Sequence, residues 1–166
     1  MQNFTFHNPT KIFFGKGQIK KRVGTETAKY GKQALFVYGQ QSVKKNGVYN
    51  QVVDALKESG VAFVEWPGVK SNPVLSHVEA GIELACKENV DVILGVGGGS
   101  VIDSAKAIAA GVKANHSVWD FFTFAQPVRD ALPILAVATV SASASEMNNG
   151  TVLTKEDCCH KFGIAS

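Results

Sequence analysis

The sequence has few cysteines and no long apolar run, and each shortage excludes a class of protein. Three cysteines, two of them adjacent, cannot build the disulfide framework of a small secreted domain, and no Cys-x-x-Cys pair indicates zinc. No apolar stretch reaches the roughly 20 residues that a membrane-spanning helix needs. The first residues lack the basic and apolar regions of a signal peptide. We therefore expect a cytoplasmic protein with no membrane partner.

Charge is also scarce. Charged residues make up 19% of the chain and the net charge is only +3, with short basic clusters at 20–22 and 44–45. A nucleic-acid surface needs a concentrated basic face, so we expect no nucleic-acid partner. Hydrophobic residues make up 45% of the 166 residues, which is enough for one domain with its own core. We treat residues 1–166 as a single dinucleotide-binding α/β domain, for reasons that the motifs supply.

Apolar runs of strand length alternate with segments of helical period along most of the chain. The pattern predicts strands at 34–38, 61–65, 90–96, 133–139 and 151–154, and helices at 18–30, 48–58, 74–87 and 101–110. Gly31 and Gly60 are predicted to take the left-handed position after a helix. Strands separated by helices pair in parallel, so we expect a Rossmann-like open parallel sheet with flanking helices and buried strands.

The segment from Phe4 to Phe14 alternates apolar and polar residues around Asn8-Pro9. This pattern predicts an N-terminal β-hairpin or two edge strands. An exposed edge pairs readily with a second chain, so we expect a homodimer formed through this segment.

A strand-to-helix turn, Gly97-Gly98-Gly99-Ser100, is the most informative motif. Glycines let the backbone approach a phosphate, and a helix N-terminus favours negative charge. The turn therefore predicts an anion site, with a tight turn that binds nothing as the alternative. It is not a P-loop, because Val101 follows Ser100, and it is not the standard dinucleotide fingerprint, which has glycine in place of Ser100.

The first buried strand ends in a second small turn that contains Gly39 and Ser42, a candidate for the adenosine ribose end of a nucleotide. No acidic residue closes this strand, so a ribose 2′-phosphate is not repelled there. Glu65, at the end of the next strand, could serve as that acid, but a surface glutamate at a strand end is the simpler interpretation.

Three motifs, in this order and spacing, resemble those of iron-containing (group III) alcohol dehydrogenases. They are 72–73 (Asn-Pro), 95–106 with the glycine turn, and 138–148, and the turn at 38–47 is similar to that of butanol dehydrogenases and related aldehyde reductases. The resemblance covers essentially the whole chain. It implies an NAD- or NADP-dependent enzyme that interconverts small primary alcohols and aldehydes.

The resemblance also implies roles for single residues. The glycine turn would cradle the pyrophosphate, and Asp103 would lie near the nicotinamide ribose or carboxamide. Thr139 and Ser143 would bind the adenine and phosphate half, Asn72 would lie near the cleft, and Lys161 would reach a ribose hydroxyl. Plain structural roles stay open as alternatives: Asp103 as a carboxylate in a first helical turn, and Asn72 as a helix cap.

Two departures from the family pattern concern the cofactor. Gln40 and Gln41 replace the usual glycines after the first strand, which leaves the choice between NAD and NADP open. Residues 141–145 replace the usual Pro-Ala-Thr-Gly-Ser, and Ala144 stands where the family has a glycine with a freer backbone.

In the family, a helical domain supplies one Asp and three His to a divalent metal, iron or zinc. We expect that domain, and with it the metal, only in a full-length parent protein, and no catalytic residue or metal ligand in this chain. Its four histidines lack metal-ligand spacing. Glycerol dehydrogenases and dehydroquinate synthase-like enzymes share the architecture and are an alternative, as is a non-catalytic nucleotide-binding domain.

Overall fold

The computed structural model describes residues 3–5 and 7–166. Its strands are β1 (Gln33–Tyr38), β2 (Ala62–Trp66), β3 (Val92–Gly97), β4 (Ile134–Ala138), β5 (Gly150–Lys155) and β6 (His160–Ala165). Its α-helices are α1 (Gln18–Thr27), α2 (Ser42–Lys45), α3 (Val48–Glu58), α4 (Leu75–Lys87), α5 (Gly99–Val112) and α6 (Trp119–Phe122). Among the residues described, none of the helices is long and apolar enough to cross a membrane.

The first four strands form one parallel sheet in the order β2-β1-β3-β4. Phe36 of β1 lies beside Leu94 of β3, and Gly97 at the end of β3 lies beside Ala138 of β4. The two central strands are almost entirely buried. Continuous apolar runs belong in strands that are covered on both faces, so the predicted parallel α/β sheet is confirmed.

Helices cover both faces of this sheet. Phe36 and Leu94 point to a layer that contains α1 and α3, while Leu35 and Ile93 point to a layer that contains α4 and α5. All four side chains are fully buried. Burying a side chain of this size contributes about 1.5–3 kcal/mol, so the alternation of side chains along β1 and β3 ties both helical layers to one sheet.

After β1 and after β3, the chain turns toward opposite faces of the sheet. After β1 it enters α2 and α3, which pack on one face, and after β3 it enters α5, which packs on the other. The two connections diverge beyond the carboxyl ends of neighbouring strands. Such a divergence opens a crevice where α/β proteins bind ligands.

The predicted N-terminal hairpin is wrong for the described residues of that segment, which form no strand; Phe6 lies outside them. A strand needs partners for its backbone groups, and Pro9 has no N–H to offer. Asn8 makes other bonds instead: its Nδ2 donates to the carbonyl of Met147 at 2.7 Å, and its Oδ1 accepts from the N–H of Thr10 at 3.0 Å. The antiparallel hairpin of the structure is β5–β6.

Strand β4 is present where predicted but is not buried as predicted. Leu135 and Val137 pack against the α1/α3 layer, whereas Ile134 and Ala136 are exposed. The reason is position, since β4 is an edge strand and the α4/α5 layer packs on β1 and β3.

The two glycines predicted to end helices have different roles. Gly60 follows α3 with φ +65°, as predicted. Gly31 does not have a positive φ, so that prediction is wrong. A Cβ at Gly31 would lie 1.9 Å from Oδ1 of Asp91, whose carboxylate accepts the N–H groups of residues 32 and 33. Close approach of this carboxylate, rather than backbone conformation, requires the glycine.

Candidate functional site

Three predicted site residues meet at the carboxyl edge of the sheet. Gly39 follows β1, Gly97 ends β3 and Thr139 follows β4. The strand register places the ends of β1 and β4 on either side of the end of β3, and the N–H of Thr139 donates to the carbonyl of Gly97 at 3.0 Å. Parallel pairing alone brings these residues together, since all the strands end at the same edge.

The glycine turn opens onto free space at one position only. A Cβ at Gly98 would have no atom within 4 Å, apart from its chain neighbours. A Cβ at Gly97 would lie 2.6 Å from Cγ2 of Val101, and a Cβ at Gly99 would lie 2.3 Å from Oγ of Ser143. Gly97 is therefore required by packing against Val101, and a side chain at Gly99 would have to displace the Ser143 hydroxyl, whereas Gly98 leaves room for a ligand to approach the backbone.

Helix α5 points its N-terminus at this open space. Gly98 is its N-cap residue, with extended φ and ψ of −84° and −173°, and the helix runs for 14 residues from Gly99. The first N–H groups of a helix have no acceptor inside it, and the helix dipole is positive at that end. Together with the half-buried hydroxyl of Ser100, these groups can hold a phosphate.

A second loop, residues 141–149, lies against the start of α5 and borders a cleft of about 400 Å³ with β5 and β6. Asp103, Ser143 and Ser145 line this cleft. Ala144, which stands where the family pattern has a glycine, has φ +52° and so adopts the left-handed conformation. An alanine pays about 1–2 kcal/mol for that conformation.

Lys106 fastens this loop to α5. Its Nζ donates to the carbonyls of Gly150 and Asn148 at 2.7 and 2.8 Å, to Oδ1 of Asn148 at 3.2 Å and to Oγ of Ser145 at 3.0 Å. Ser145 in turn donates to Oδ1 of Asp103 at 2.6 Å. Burial lowers the pKa of Lys106, and the Asp103 carboxylate opposes this shift.

Lys106 was missed as a site residue from sequence, although it closes the motif that contains Asp103. The only signal was its spacing, three residues after Asp103 and so on the same helix face. One oxygen of Asp103 is occupied by Ser145, and its backbone carbonyl accepts from Oγ1 of Thr151 at 2.8 Å. Asp103 therefore anchors the loop as well as lining the cleft.

Asn72 and Lys161, distant in sequence, are joined directly. Nζ of Lys161 donates to Oδ1 of Asn72 at 2.7 Å. The β5–β6 hairpin that carries Lys161 docks here through the N–H of Thr154, which donates to the carbonyl of Pro73 at 2.8 Å. Asn72 has φ +58° and α4 starts only at Leu75, so the alternative of a helix cap at Asn72 is wrong.

The predicted site residues thus fall into two groups. One combines Gly39 and Thr139 with the N-terminal part of α5 and its loop. The other is the hydrogen-bonded pair of Asn72 and Lys161. Ser42 stands outside both groups: it begins α2 and is exposed to solvent.

Glu65 is not the surface residue that the simpler interpretation predicted. The hydroxyls of Tyr38 and Tyr49 both donate to its carboxylate, the latter at 2.6 Å, and Nζ of Lys44 lies 5.4 and 4.9 Å from the two ring centres. Burial opposes ionisation of Glu65, but the two hydroxyls and the Lys44 charge hold its pKa below the ordinary value. The hydrogen bond to Glu65, together with burial, raises the pKa of Tyr49 to about 12.

The residues that the structure describes contain no group of three or more His, Cys, Asp or Glu side chains that could hold a metal ion. The donor set needed for a catalytic metal is therefore not assembled within 3–5 and 7–166.

The sequence profile of the iron-containing alcohol dehydrogenases matches residues 9–166. The chain belongs to this family. It is 49% identical to a probable NADH-dependent butanol dehydrogenase 2 of Bacillus subtilis, over 98% of this chain and 41% of the relative. It is 37% identical to the NADPH-dependent aldehyde reductase YqhD of Escherichia coli, over 94% of this chain and 40% of the relative.

Solved structures of family members agree in fold. The NADH-dependent butanol dehydrogenase A of Thermotoga maritima superposes with a TM-score of 0.96 at 51% identity, over 100% of this chain and 42% of that protein. The chain therefore spans about two fifths of the length of these relatives. The recognition of the iron-containing alcohol dehydrogenase fold from sequence motifs is confirmed.

Proposed function

We propose that this chain is the nicotinamide-cofactor domain of an alcohol dehydrogenase that interconverts small primary alcohols and aldehydes. The observation that carries the proposal is the open space at Gly98, directly before the N-terminus of α5. Of the relatives named above, one is a probable NADH-dependent butanol dehydrogenase, one is an NADH-dependent butanol dehydrogenase and one is an NADPH-dependent aldehyde reductase. The proposal therefore covers both dinucleotides.

The site residues fit a dinucleotide laid along the carboxyl edge of the sheet. The pyrophosphate would lie on the N–H groups at residues 97–100, with Gly39 and Ser42 toward the adenosine ribose. Thr139 and Ser143 would contact the adenine and phosphate half, and Asp103, in the adjoining cleft, would face the nicotinamide end. Asn72 and Lys161, already joined, would offer an ammonium and an amide to a ribose hydroxyl. When bound, the cofactor supplies or accepts the hydride.

The substrate oxygen would be held by a divalent metal, iron or zinc, in a longer protein that contains this chain. The described residues do not assemble the donors for it. The role of this chain is then to bind and orient the dinucleotide, which places the reacting ring without supplying a catalytic side chain.

We also propose a cytoplasmic homodimer. Three free, exposed cysteines suit a reducing compartment. The large apolar side chains of Phe4, Ile12 and Phe14 are 81%, 58% and 97% exposed, which favours burial against a second copy. Light scattering on a size-exclusion column at micromolar concentration should give twice the monomer mass, and a monomer would contradict this assembly.

The activity is tested by joining this chain to the remaining part of a metal-bearing relative. With iron or zinc present, the joined protein should oxidise NADH or NADPH in the presence of butyraldehyde, which the absorbance of the reduced nicotinamide follows. The same protein carrying Gly98→Val is the matched control and should be inactive. A joined protein that binds the dinucleotide but turns over neither alcohol nor aldehyde would identify a non-catalytic nucleotide-binding domain instead.

A further inference from the structure

The turn between β5 and β6 carries two adjacent cysteines. Lys155 and His160 form the last pair of the hairpin, so the connecting turn is residues 156–159. Cys158 and Cys159 are both free and both exposed at its end. They are thus open to reagents in solution, and thiols react in proportion to this access and to their ionisation.

The two sulfur atoms lie within the same turn. Sγ of Cys158 is 4.0 Å from the carbonyl oxygen of Lys155, and Sγ of Cys159 is 3.8 Å from that of Glu156. Each sulfur is therefore folded back over the carbonyl three residues earlier, and these carbonyls belong to consecutive residues. Neighbours on a strand point to opposite faces, but Cys159 has φ +53° and leaves that alternation.

The short distance between the Cα atoms of the two cysteines favours a single atom bonded to both sulfurs over a disulfide bond between them. Consecutive Cα atoms are about 3.8 Å apart, which is shorter than the roughly 4.4–6.8 Å that disulfides usually span. A structural metal ion needs about four ligands, and within the described part of the chain no three or more His, Cys, Asp or Glu side chains are placed to hold one. Trivalent arsenic with one organic substituent is trigonal, so two thiols complete its bonding.

We propose that Cys158 and Cys159 form a dithiol site that captures monosubstituted trivalent arsenicals. Two arsenic–oxygen bonds of the dihydroxy form break and two arsenic–sulfur bonds form. Each thiol proton leaves with a hydroxyl group as water, and arsenic stays trivalent, so no oxidant or reductant is required.

The site lies beside the contact that docks the hairpin on α4. Glu156, in the same turn, accepts hydrogen bonds from both the N–H and the hydroxyl of Ser76, the first at 3.3 Å. Capture of the arsenical uses the cysteine side chains alone and does not depend on cofactor binding.

The test uses phenylarsine oxide at one equivalent, a wash with 2-mercaptoethanol and intact-mass measurement. The unmodified chain should keep one adduct through the monothiol wash and lose it to 2,3-dimercaptopropanol. Cys158→Ser and Cys159→Ser should each lose the adduct in the first wash, while Cys86→Ser, which removes the exposed thiol on α4, should keep it. Loss of the adduct from the unmodified chain in the monothiol wash, or its retention by either turn variant, would overturn the proposal.

Discussion

Replacing Lys106 by methionine tests how the candidate site is held together. Methionine keeps most of the aliphatic stem and removes the ammonium group, whose three N–H bonds are shared among four oxygen atoms of Ser145, Asn148 and Gly150 at 2.7–3.2 Å. The loop of residues 141–149 then loses its hydrogen bonds from Lys106 of α5. Asp103 keeps its hydrogen bond from Ser145, but the loop oxygens lose their shared cation.

The loss of stability depends on the number of these hydrogen bonds and on their exposure to water. A hydrogen bond to a charged group contributes about 1.5–3 kcal/mol, and the four bonds share one cation, so they do not add. The loop carbonyls can turn to water after the substitution, which offsets part of the loss. We therefore expect Lys106→Met to lower the free energy of unfolding by about 2–3 kcal/mol.

Urea unfolding followed by tryptophan fluorescence measures this change. Lys113→Met is the matched control, because Lys113 is exposed at the end of the same helix and, within the described residues, its side chain makes no hydrogen bond or ion pair. The control should unfold within about 0.5 kcal/mol of the unmodified chain. Equal unfolding midpoints and slopes for the two variants would show that Lys106 does not fasten the loop.

Four further substitutions have defined outcomes. Ala144→Gly should stabilise the chain by about 1 kcal/mol, because alanine is strained at the φ of +52° found there and glycine is not. If the variant is instead less stable in urea unfolding, the backbone at Ala144 is not strained. Glu65 has a lowered pKa in the folded state, so its stabilisation is present above the ordinary value of 4.5 and is lost as the pH falls through the folded-state pKa. Glu65→Gln should therefore show a flatter loss of stability in acid than the unmodified chain, and superimposable acid profiles would contradict the hydrogen-bonded carboxylate. Gly97→Ala should cost about 1–3 kcal/mol by crowding Val101, whereas Gly98→Ala should cost less, and the reverse order would contradict the described turn.

The central sheet was predictable because burial on both faces leaves a plain mark in the sequence. The apolar run around Phe36 and the run around Leu94 have no polar alternation, and helical segments separate them, so a parallel sheet was the available solution. The glycine turn was also predictable from local sequence, because a strand, three glycines and a helix follow each other directly.

The errors concern contacts that link distant segments. The Phe4–Phe14 segment has the alternation of a strand, but alternation supplies no partner, and Asn8 bonds to Met147 instead. The exposure of β4 depends on where the helices pack, and the local sequence of a strand does not indicate this.

The site details that the sequence missed are polar networks. Glu65 meets Tyr38 from the neighbouring strand and Tyr49 from α3, and Lys106 reaches a loop about 40 residues further along the chain. Each residue type alone suits a surface position. Only the fold brings their partners within hydrogen-bonding distance of the carboxylate and the ammonium.

In the proposed function, the turn at Gly98 binds the pyrophosphate of a nicotinamide dinucleotide. Isothermal titration of the unmodified chain and of Gly98→Val with NADH and NADPH tests it most directly. We expect the unmodified chain to bind at least one dinucleotide and the variant, still folded by circular dichroism, to bind neither, because its side chain fills the open space before α5. Equal affinity in the two proteins, or no binding by the folded unmodified chain, would show that this turn does not bind the pyrophosphate.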